Sequence, residues 1–426
     1  MIRSQLQINE DSHIAMRKPH AVVVTGLGMV TSIGTGRDEF WNSLLAGRCG
    51  FGPVRSFDTS RYPVHVGGEI ADFNPHNFVF NLDAGLIGRS SQLAIAAARL
   101  ALADGTLTVS NTNRDRFSVC LGTTSGEPHF IEHFDDDYVK GNLLQVGNGF
   151  LHGYPCHVIA TNVATEFDLS GEVVMIPTAC AAGNYAIAHA CDLLHADKTD
   201  FVLAGGADSF SRITYTGFAR LGAIAPELCQ PFDRERKGMI PAEGAAILLL
   251  ERKEQALSRG ANIYCEIAGY GLTCDAHHMT AAHPEGKGAA RAMKIALQES
   301  NIAPQEVDYI SAHGTGTVTN DRLETIAVKR AFGDHAYKIP MSSIKSMLGH
   351  TMGAASAIQA VVCALAIAES KIPPTMHLYN RDPECDLDYV PNVARQCQVK
   401  VAMNNAYAFG GNNSSLVLTQ PRGLER

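Results

Sequence analysis

Cys180 lies where an apolar strand ends and a helix of very small residues is expected to begin, in the segment IPTACAAGN (176–184). A thiol at a helix N-terminus lies among unpaired backbone N–H groups and at the positive end of the helix dipole. Both lower its pKa and favour the nucleophilic thiolate. The same N–H groups can hold the oxyanion that forms when a thioester is attacked. The small neighbours predict a deeply packed helix with the thiol at the floor of a pocket. Considered alone, a buried structural cysteine is the commoner case.

Two histidine motifs show the same strand-to-helix pattern further along the chain. His313 begins the segment HGTGT (313–317) after an expected strand, and His350 ends the segment SSIKSMLGH (342–350), which also carries Lys345. Residues at the carboxyl ends of strands face the crevice in which α/β proteins bind ligands. Each histidine alone is more often a satisfied structural residue. Three such sites at equivalent strand-to-helix corners are much harder to attribute to structure alone.

A fourth motif, NNAYAFGGNN at residues 404–413, forms an aromatic and Gly-rich loop between two expected strands. Its glycine pair suits a mobile or strained backbone, and Phe409 is a candidate to line or gate a pocket. A tight hairpin turn explains the same residues without any function. The residues by themselves leave both interpretations open.

The elements that must position these motifs alternate between strand and helix, and the alternation starts over near residue 262. In the first round the patterns predict strands at 20–26, 117–122, 173–176, 201–204 and 245–250, and helices at 37–46, 90–103 and 181–196. In the second round they predict strands at 263–270, 308–312, 339–342, 400–405 and 414–418, and helices at 288–299, 321–332 and 352–369. This alternation indicates α/β layers with a mostly parallel core.

No composition shift or Pro/Ser-rich linker separates the two rounds, so we expect one integrated unit made of two similar halves. The predicted organisation is an N-terminal extension (1–18), an N-terminal half (19–262) and a C-terminal half (263–420). A chain of 426 residues is long enough to bury a large core in this way.

Charge and composition exclude several classes of function. The net charge of −8 is spread along the chain without a basic cluster, which argues against nucleic-acid binding. The longest acidic run, Asp135–Asp137, is predicted to be a solvated loop. No apolar run appears long enough to span a bilayer, and the first 18 residues lack a hydrophobic signal core. We therefore expect a soluble, cytoplasmic protein.

The eleven cysteines contain no CxxC pair, which is typical of a reducing compartment with mostly inert thiols. The segment Cys274–His278 is the nearest approach to a metal-ligand cluster. Because the chain has no HExxH motif, we expect no metal site.

The ordered set of motifs is similar to that of the β-ketoacyl synthases of the elongating (I/II) type. It consists of VTGLGMVTSIG (24–34), TACAAG (178–183), PFDRERKG (231–238), DAHHMT (275–280), HGTGT followed by NDxxE (313–324), KSxxGH (345–350) and FGGNN (409–413). The resemblance runs from about His20 to Leu418. It implies a duplicated thiolase fold with α-β-α-β-α layers, usually an obligate dimer, acting with an acyl carrier protein.

The resemblance also assigns roles to the reacting groups. Cys180 would accept the acyl chain as a thioester. His313 and His350 would hold the thioester carbonyl of the malonyl unit and assist its decarboxylation to an enolate. The enolate would attack the acyl group on Cys180, while the backbone N–H groups of Cys180 and Phe409 hold the oxyanion. Covalent two-stage chemistry of this kind predicts ping-pong kinetics.

Further roles follow from the same match. Lys345 and Glu324 correspond to an ion pair behind the reacting groups, with Asp321 close by. Thr315 and Thr317 match positions that bind the phosphopantetheine arm of the carrier. The resemblance implies no metal and no diffusible cofactor.

Four departures from the family pattern concern substrate choice. Gln359 replaces a glutamate that usually supports the lysine, and Ala408 replaces a glycine before the gate phenylalanine. The segment 83–89, usually a basic carrier-docking patch, keeps only Arg89, and the segment 122–127 also differs. We hypothesise a specialised polyketide or polyene pathway, with a second synthase-like subunit, rather than ordinary fatty-acid elongation.

Three alternative interpretations have weaker support in the sequence. The segment GLGMVT (26–31) half-resembles a dinucleotide-binding turn, but its third glycine is replaced by Thr31. A non-catalytic chain-length partner subunit would lack the nucleophile. A thiolase or starter-type synthase would use a Cys-His-Cys or Cys-His-Asn set instead of two histidine motifs.

Overall fold

The computed structural model describes residues 20–109, 114–141, 148–421 and 423; the predicted extension 1–18 lies outside the described residues. The strands are β1 (Val22–Thr31), β2 (Gly34–Thr35), β3 (Gly52–Pro53), β4 (Val66–Gly67), β5 (Phe117–Gly122), β6 (Val173–Ile176), β7 (Phe201–Asp208), β8 (Gly244–Arg252), β9 (Cys265–Cys274), β10 (Tyr309–Ser311), β11 (Met341–Ser342), β12 (Lys371–Ile372), β13 (Arg395–Gln396), β14 (Val401–Tyr407) and β15 (Asn412–Thr419). The α-helices are α1 (Arg37–Leu45), α2 (Arg89–Asp104), α3 (Pro128–Val139), α4 (Asn148–Gly153), α5 (Val158–Phe167), α6 (Ala182–His195), α7 (Arg212–Arg220), α8 (Lys253–Ser258), α9 (Lys287–Ser300), α10 (Val318–Phe332), α11 (Lys345–Leu348) and α12 (Ala355–Glu369).

The same strand order occurs twice in the main sheet. Its first part runs β6-β5-β7-β8-β1 and its second part β11-β10-β14-β15-β9, so each part has the order third, second, fourth, fifth, first. The parts join where Val22–Val24 of β1 pairs antiparallel with Cys265–Ile267 of β9. The predicted duplicated α/β fold is confirmed, whereas the boundaries 19–262 and 263–420 stay a prediction.

The prediction of a mostly parallel core is wrong for the sheet of the described residues. Parallel pairing is confined to β6-β5-β7 and β11-β10-β14. β8 and β15 run antiparallel to their neighbours. For β15 the reason is the short connection before it, because a strand that returns without a crossover helix lies antiparallel to the one before it. The short connection from β14 to β15 over Ala408–Gly411 is such a return.

Two glycines of β1 let helix α2 lie directly on the strand. A Cβ at Gly26 would lie 2.2 Å from the carbonyl oxygen of Ala101, and one at Gly28 would lie 1.9 Å from that of Ala97. Only glycine permits this approach, and β1 is buried along its whole length. The segment that half-resembled a dinucleotide-binding turn is therefore strand interior, and that interpretation is wrong.

Helices form three layers around the two parts of the sheet, which gives the α-β-α-β-α arrangement. α2 and α5 cover the outer face of the first part, and α9 and α10 cover that of the second. α6 and α12 share the central core between the two parts. By length and composition Met352–Glu369 passes as a membrane span, against our expectation, but 89% of it is buried inside the protein. It is apolar all round because the core surrounds it.

Two local predictions also differ from the structure. The acidic run Asp135–Asp137 lies within helix α3 and not in a loop. Asp136 Oδ1 accepts a hydrogen bond of 2.9 Å from Arg212, which anchors this helix to α7. Helix α10 begins at Val318, earlier than predicted, because the Thr317 hydroxyl caps it by accepting from the N–H of Asn320.

Candidate active site

The turn that carries Cys180 is strained. After β6 the chain forms a single turn over Ala179–Ala181, in which Ala179 has a φ of +51°, and α6 then begins at Ala182. A left-handed conformation costs a non-glycine residue about 1–3 kcal/mol. The second half repeats this geometry, because Met352 also has a φ of +51° at the first residue of the turn before α12. The duplicated fold thus presents two equivalent turns to the same crevice.

Cys180, His313 and His350 converge at this crevice from both halves of the chain. The Cys180 Sγ and the nearest ring nitrogens of the two histidines all lie within 4.8 Å of one another. The two imidazole rings are 5.6 Å apart between centroids and almost perpendicular, at 83°. A group placed among them can touch the thiol and both rings at once.

Backbone contacts fix the orientation of His350. The N–H of Met352 donates to His350 Nδ1 at 3.1 Å, so the ring proton of the neutral imidazole lies on Nε2. The His350 backbone is fixed as well: its N–H donates to the carbonyl of Ile240 at 2.6 Å, and its carbonyl accepts from Ala242 at 2.9 Å. His350 is therefore a preorganised hydrogen-bond donor.

His313 is held through its backbone rather than its ring. Its N–H donates to Glu324 Oε1 at 2.8 Å, and the N–H of Gly314 donates to Glu324 Oε2 at 2.7 Å. Its carbonyl oxygen accepts from Lys345 Nζ at 2.6 Å. Within the described part of the chain, His313 Nδ1 is buried without a hydrogen-bond partner.

The predicted ion pair between Lys345 and Glu324 is not formed within 4.0 Å in the described structure. Glu324 is taken up by the two backbone N–H groups at 313 and 314. Lys345 Nζ instead donates to the carbonyl of His313 and, at 2.8 Å, to Gln359 Oε1. The departure at position 359 thus supplies a neutral partner for the lysine.

Burial dominates the protonation of the site. Burial, aided by the positive charge of Lys345, holds the pKa of His313 and of His350 well below the usual 6.5, so both rings are neutral at pH 7. Burial also lowers the pKa of Lys345 to about 8 and raises that of Glu324 to about 7. It raises the pKa of the Cys180 thiol to about 12, although Lys345 acts in the opposite direction. This direction is opposite to the expected lowering of the thiol pKa, and loss of solvation is its largest cause.

The turn after His313 is organised by Asp321. The Asp321 carboxylate accepts from the N–H of Gly316 at 3.2 Å and from that of Phe232 at 2.8 Å, and Arg236 lies 3.6 Å away. The Thr315 and Thr317 hydroxyls are 2.9 Å apart and bond each other. These two hydroxyls therefore lie next to each other in the turn.

Phe409 lies in a short turn in which the two residues after it have left-handed backbone conformations. Gly410 and Gly411 have φ values of +82° and +78°, which favour glycine, whereas Ala408 is extended. The alanine therefore adds no strain where the family usually has glycine. The Phe409 side chain is 43% exposed, and its ring centroid lies 6.0 Å from that of Phe218. As the first residue of its turn, Phe409 has an N–H without a partner in the turn.

Asp208, at the end of β7, was not predicted. Its buried carboxylate accepts from the Thr123 hydroxyl at 2.7 Å and from the backbone N–H groups of Thr124 at 2.7 Å and Gly353 at 2.6 Å. It thereby ties the end of β5 to the turn before α12, and burial raises its pKa to about 6. Its position at the carboxyl end of a strand was the one signal that could have identified it.

Tyr407 is a second residue of the site to which the sequence motifs assign no role. Its ring packs edge-on against His313, with centroids 5.6 Å apart, and its buried hydroxyl has no partner among the described residues.

Arg89, the single arginine of the segment 83–89, is not a free charge. It pairs with Glu243 at 2.9 Å and lies over the ring of Phe73.

The only group of potential metal ligands with suitable spacing in the described chain is the Cys180, His313 and His350 trio itself. The segment Cys274–His278 does not form such a group. All eleven cysteines lie within the described ranges, and each is a free thiol.

Comparisons with known proteins identify the family of this chain. Residues 20–256 match the family described as the N-terminal domain of β-ketoacyl synthase, and residues 264–379 match the family described as its C-terminal domain. The chain is 40% identical over 407 residues to 3-oxoacyl-[acyl-carrier-protein] synthase 2 of Synechocystis sp., covering 93% of this chain and 97% of that protein. It is 39% identical to the protein of the same name from Coxiella burnetii, covering 94% of this chain and 98% of that protein.

Solved structures of ketosynthases are also similar to this chain. The ishigamide ketosynthase/chain length factor structure superposes with a TM-score of 0.92 at 40% identity, covering 95% of this chain and 100% of that one. A type II polyketide ketosynthase in complex with its acyl carrier protein superposes with a TM-score of 0.87 at 32% identity, again covering 95% of this chain and 100% of that one. By sequence and by structure, this chain belongs to the β-ketoacyl synthase family.

Proposed function

We propose that this protein condenses a Cys180-bound acyl chain with malonyl-acyl carrier protein by decarboxylative Claisen chemistry. The observation that carries the proposal is the convergence of one thiol and two neutral imidazoles within 4.8 Å. A non-catalytic chain-length subunit is not supported, because nucleophile and histidines are all present and meet.

In the first half-reaction the Cys180 sulfur attacks the acyl thioester and the carrier thiol leaves. Since burial keeps the thiol protonated, its proton must be removed as the attack occurs. His350 uses its one acceptor nitrogen, Nδ1, for the N–H of Met352. The neutral ring of His313, whose Nδ1 has no partner among the described residues, is therefore the available base. The N–H groups of Cys180 and Phe409 are proposed to hold the oxyanion.

In the second half-reaction malonyl thioester binds with its carbonyl oxygen between the rings. His350 donates from Nε2, since its Nδ1 already accepts from Met352, and His313 donates from the other side. Negative charge develops on this oxygen as carbon dioxide leaves, and the preorganised donors stabilise it. The enolate carbon then attacks the acyl group, and Cys180 departs as a thiolate. We propose that Thr315 and Thr317 bind the pantetheine arm, and that neither metal nor diffusible cofactor takes part.

We further propose a specialised polyketide or polyene pathway, in the cytoplasm, with a ketosynthase-like partner subunit. The support is the similarity to two solved structures that are described as ketosynthase with chain length factor. The two relatives from Synechocystis sp. and Coxiella burnetii are named only 3-oxoacyl-[acyl-carrier-protein] synthase 2, and ordinary fatty-acid elongation is the competing outcome.

Intact-protein mass spectrometry tests the proposal with saturated and polyunsaturated acyl carrier thioesters. We expect wild type to gain the mass of one acyl group, and Cys180→Ala to gain none on the peptide that contains position 180. Preference for polyunsaturated donors supports the specialised pathway; preference for saturated medium chains, with a homodimer active alone, overturns it.

A decarboxylation assay distinguishes the role of the histidines from that of the nucleophile. Cys180→Ala should still release carbon dioxide from malonyl-acyl carrier protein, whereas His350→Ala should lose at least about 100-fold of that activity. Retention of decarboxylation in His350→Ala would contradict the assigned donor. Circular dichroism of each variant controls for folding.

A further inference from the structure

A second thiol and imidazole meet outside the active site, in segments that are far apart along the chain. Cys49 Sγ lies 3.4 Å from His377 Nε2. Cys49 is exposed, and it lines the mouth of a surface groove of about 1300 Å³ together with Arg48 and Phe51. None of the motifs assigned above includes either residue.

The imidazole is oriented for proton transfer. His377 Nδ1 lies 3.0 Å from the carbonyl oxygen of Cys229, and a carbonyl can only accept, so Nδ1 carries the proton. Nε2 is then the lone-pair nitrogen, and it faces the thiol of Cys49. A nucleophile bonded to a base, with the base oriented by a third group, is the arrangement of activated nucleophiles.

The ring is also fixed in place. His377 is buried and has a φ of +63°, a left-handed conformation that the surrounding contacts must enforce. Its carbonyl accepts from Gln230 Nε2 at 3.3 Å, and the ring of Phe51 packs edge-on against it at 6.1 Å. The base is therefore preorganised, while Cys49 is an exposed residue whose thiol is partly buried.

We propose that Cys49 is a modification site, at which His377 assists oxidation of the thiol by hydrogen peroxide to a sulfenic acid. The sulfur attacks one peroxide oxygen, an S–O bond forms and the O–O bond breaks. The thiol proton passes to His377 Nε2 and then to the departing hydroxide, which leaves as water. Sulfur is oxidised by two electrons and the peroxide is reduced by two.

The site contacts the segment that carries two groups of the active site. Cys49 Sγ is 3.9 Å from the carbonyl oxygen of Ser346, and the N–H of Gly50 donates to Met347 at 2.9 Å. Ser346 follows Lys345 directly in the chain. Partial burial raises the pKa of Cys49. The thiol therefore needs a base to remove its proton, and His377 Nε2 lies close enough to accept it.

The chain supplies a matched control. Cys274 is also exposed, but the only described hydrogen bond of its Sγ is to the carbonyl oxygen of Gly410, at 3.7 Å. We would treat the intact protein with hydrogen peroxide, trap sulfenic acids with dimedone and measure the rate at each cysteine by peptide mass spectrometry. We expect Cys49 to be labelled at least about tenfold faster than Cys274. Equal rates would overturn the proposal, and this comparison needs no variant.

The base is tested with His377→Asn. Asparagine tolerates the left-handed conformation, and it lacks a base that reaches Cys49. We expect labelling of Cys49 to fall to within about twofold of that of Cys274, with Cys274 unchanged. Unchanged labelling of Cys49 in a folded variant would exclude His377 as the base. Neither measurement depends on condensation activity.

Discussion

At the scale of single residues, Gln359 shows how a departure from a family pattern is accommodated. Its Oε1 accepts from Lys345. Its Nε2 faces the carbonyl oxygens of Ser311, Ala312 and Asn405, at 2.9–3.3 Å. One buried amide thus joins the lysine to the ends of β10 and β14. A carboxylate offers no donor to these carbonyls.

We therefore expect Gln359→Glu to lower the free energy of unfolding by about 2–4 kcal/mol at pH 7, because buried carbonyls lose their donor. Urea denaturation followed by circular dichroism measures the change. Gln298→Glu on the exposed face of α9 is the control, expected within about 0.5 kcal/mol of wild type. An unchanged or higher value for Gln359→Glu would mean that a new ion pair with Lys345 outweighs the lost donors.

At the scale of elements, helix α2 depends on a buried carboxylate from outside the helix. Glu127 accepts from the N–H groups of Ser90 and Ser91 at 3.0 and 2.7 Å, in the first turn of α2. The helix has no side-chain cap of its own. Burial nevertheless raises the pKa of Glu127 from 4.5 to about 7, so folding favours its protonated form.

The sign of this shift predicts a dependence on pH. A raised carboxyl pKa contributes stability that is fully present below about pH 4.5 and is lost as the pH rises through 7. The stability difference between wild type and Glu127→Gln should therefore change by about 3 kcal/mol over this window, to the disadvantage of wild type at higher pH. Urea titrations at several pH values, with the exposed Glu227→Gln as control, measure it. A constant difference would contradict the shift.

At the scale of the whole molecule, β6 leaves one edge of the main sheet open. β6 ends the strand order, and Val173 is 39% exposed. The carbonyls of Glu172 and Ile176 accept from β5, so the backbone groups of Val173 and Met175 face away from it. An exposed edge strand directly before Cys180 is suited to pair with a second subunit.

We expect Met175→Pro to disrupt the dimer, with itself or with a co-expressed partner subunit, because it removes an outward N–H and leaves the pairing with β5 intact. We expect the Kd of the dimer to increase at least about tenfold. Size-exclusion chromatography with light scattering should therefore show a monomer. Met175→Ala loses the side chain but keeps the N–H, and should remain a dimer. A dimeric Met175→Pro variant would place the interface elsewhere.

The segments that carry the chemistry can be identified from the sequence, because each motif is local: a small-residue turn after a strand, or a glycine turn after a histidine. The sequence also predicts most of the long strands and helices, since their patterns depend on near neighbours. Which side chains meet depends on the tertiary fold. Cys180 lies close to the two histidines because the duplicated halves place equivalent turns at the same crevice. Cys49 contacts His377 although the two residues are 328 positions apart in the sequence. Protonation likewise follows from burial, which no local pattern encodes, and this is why the Cys180 thiol has a raised pKa.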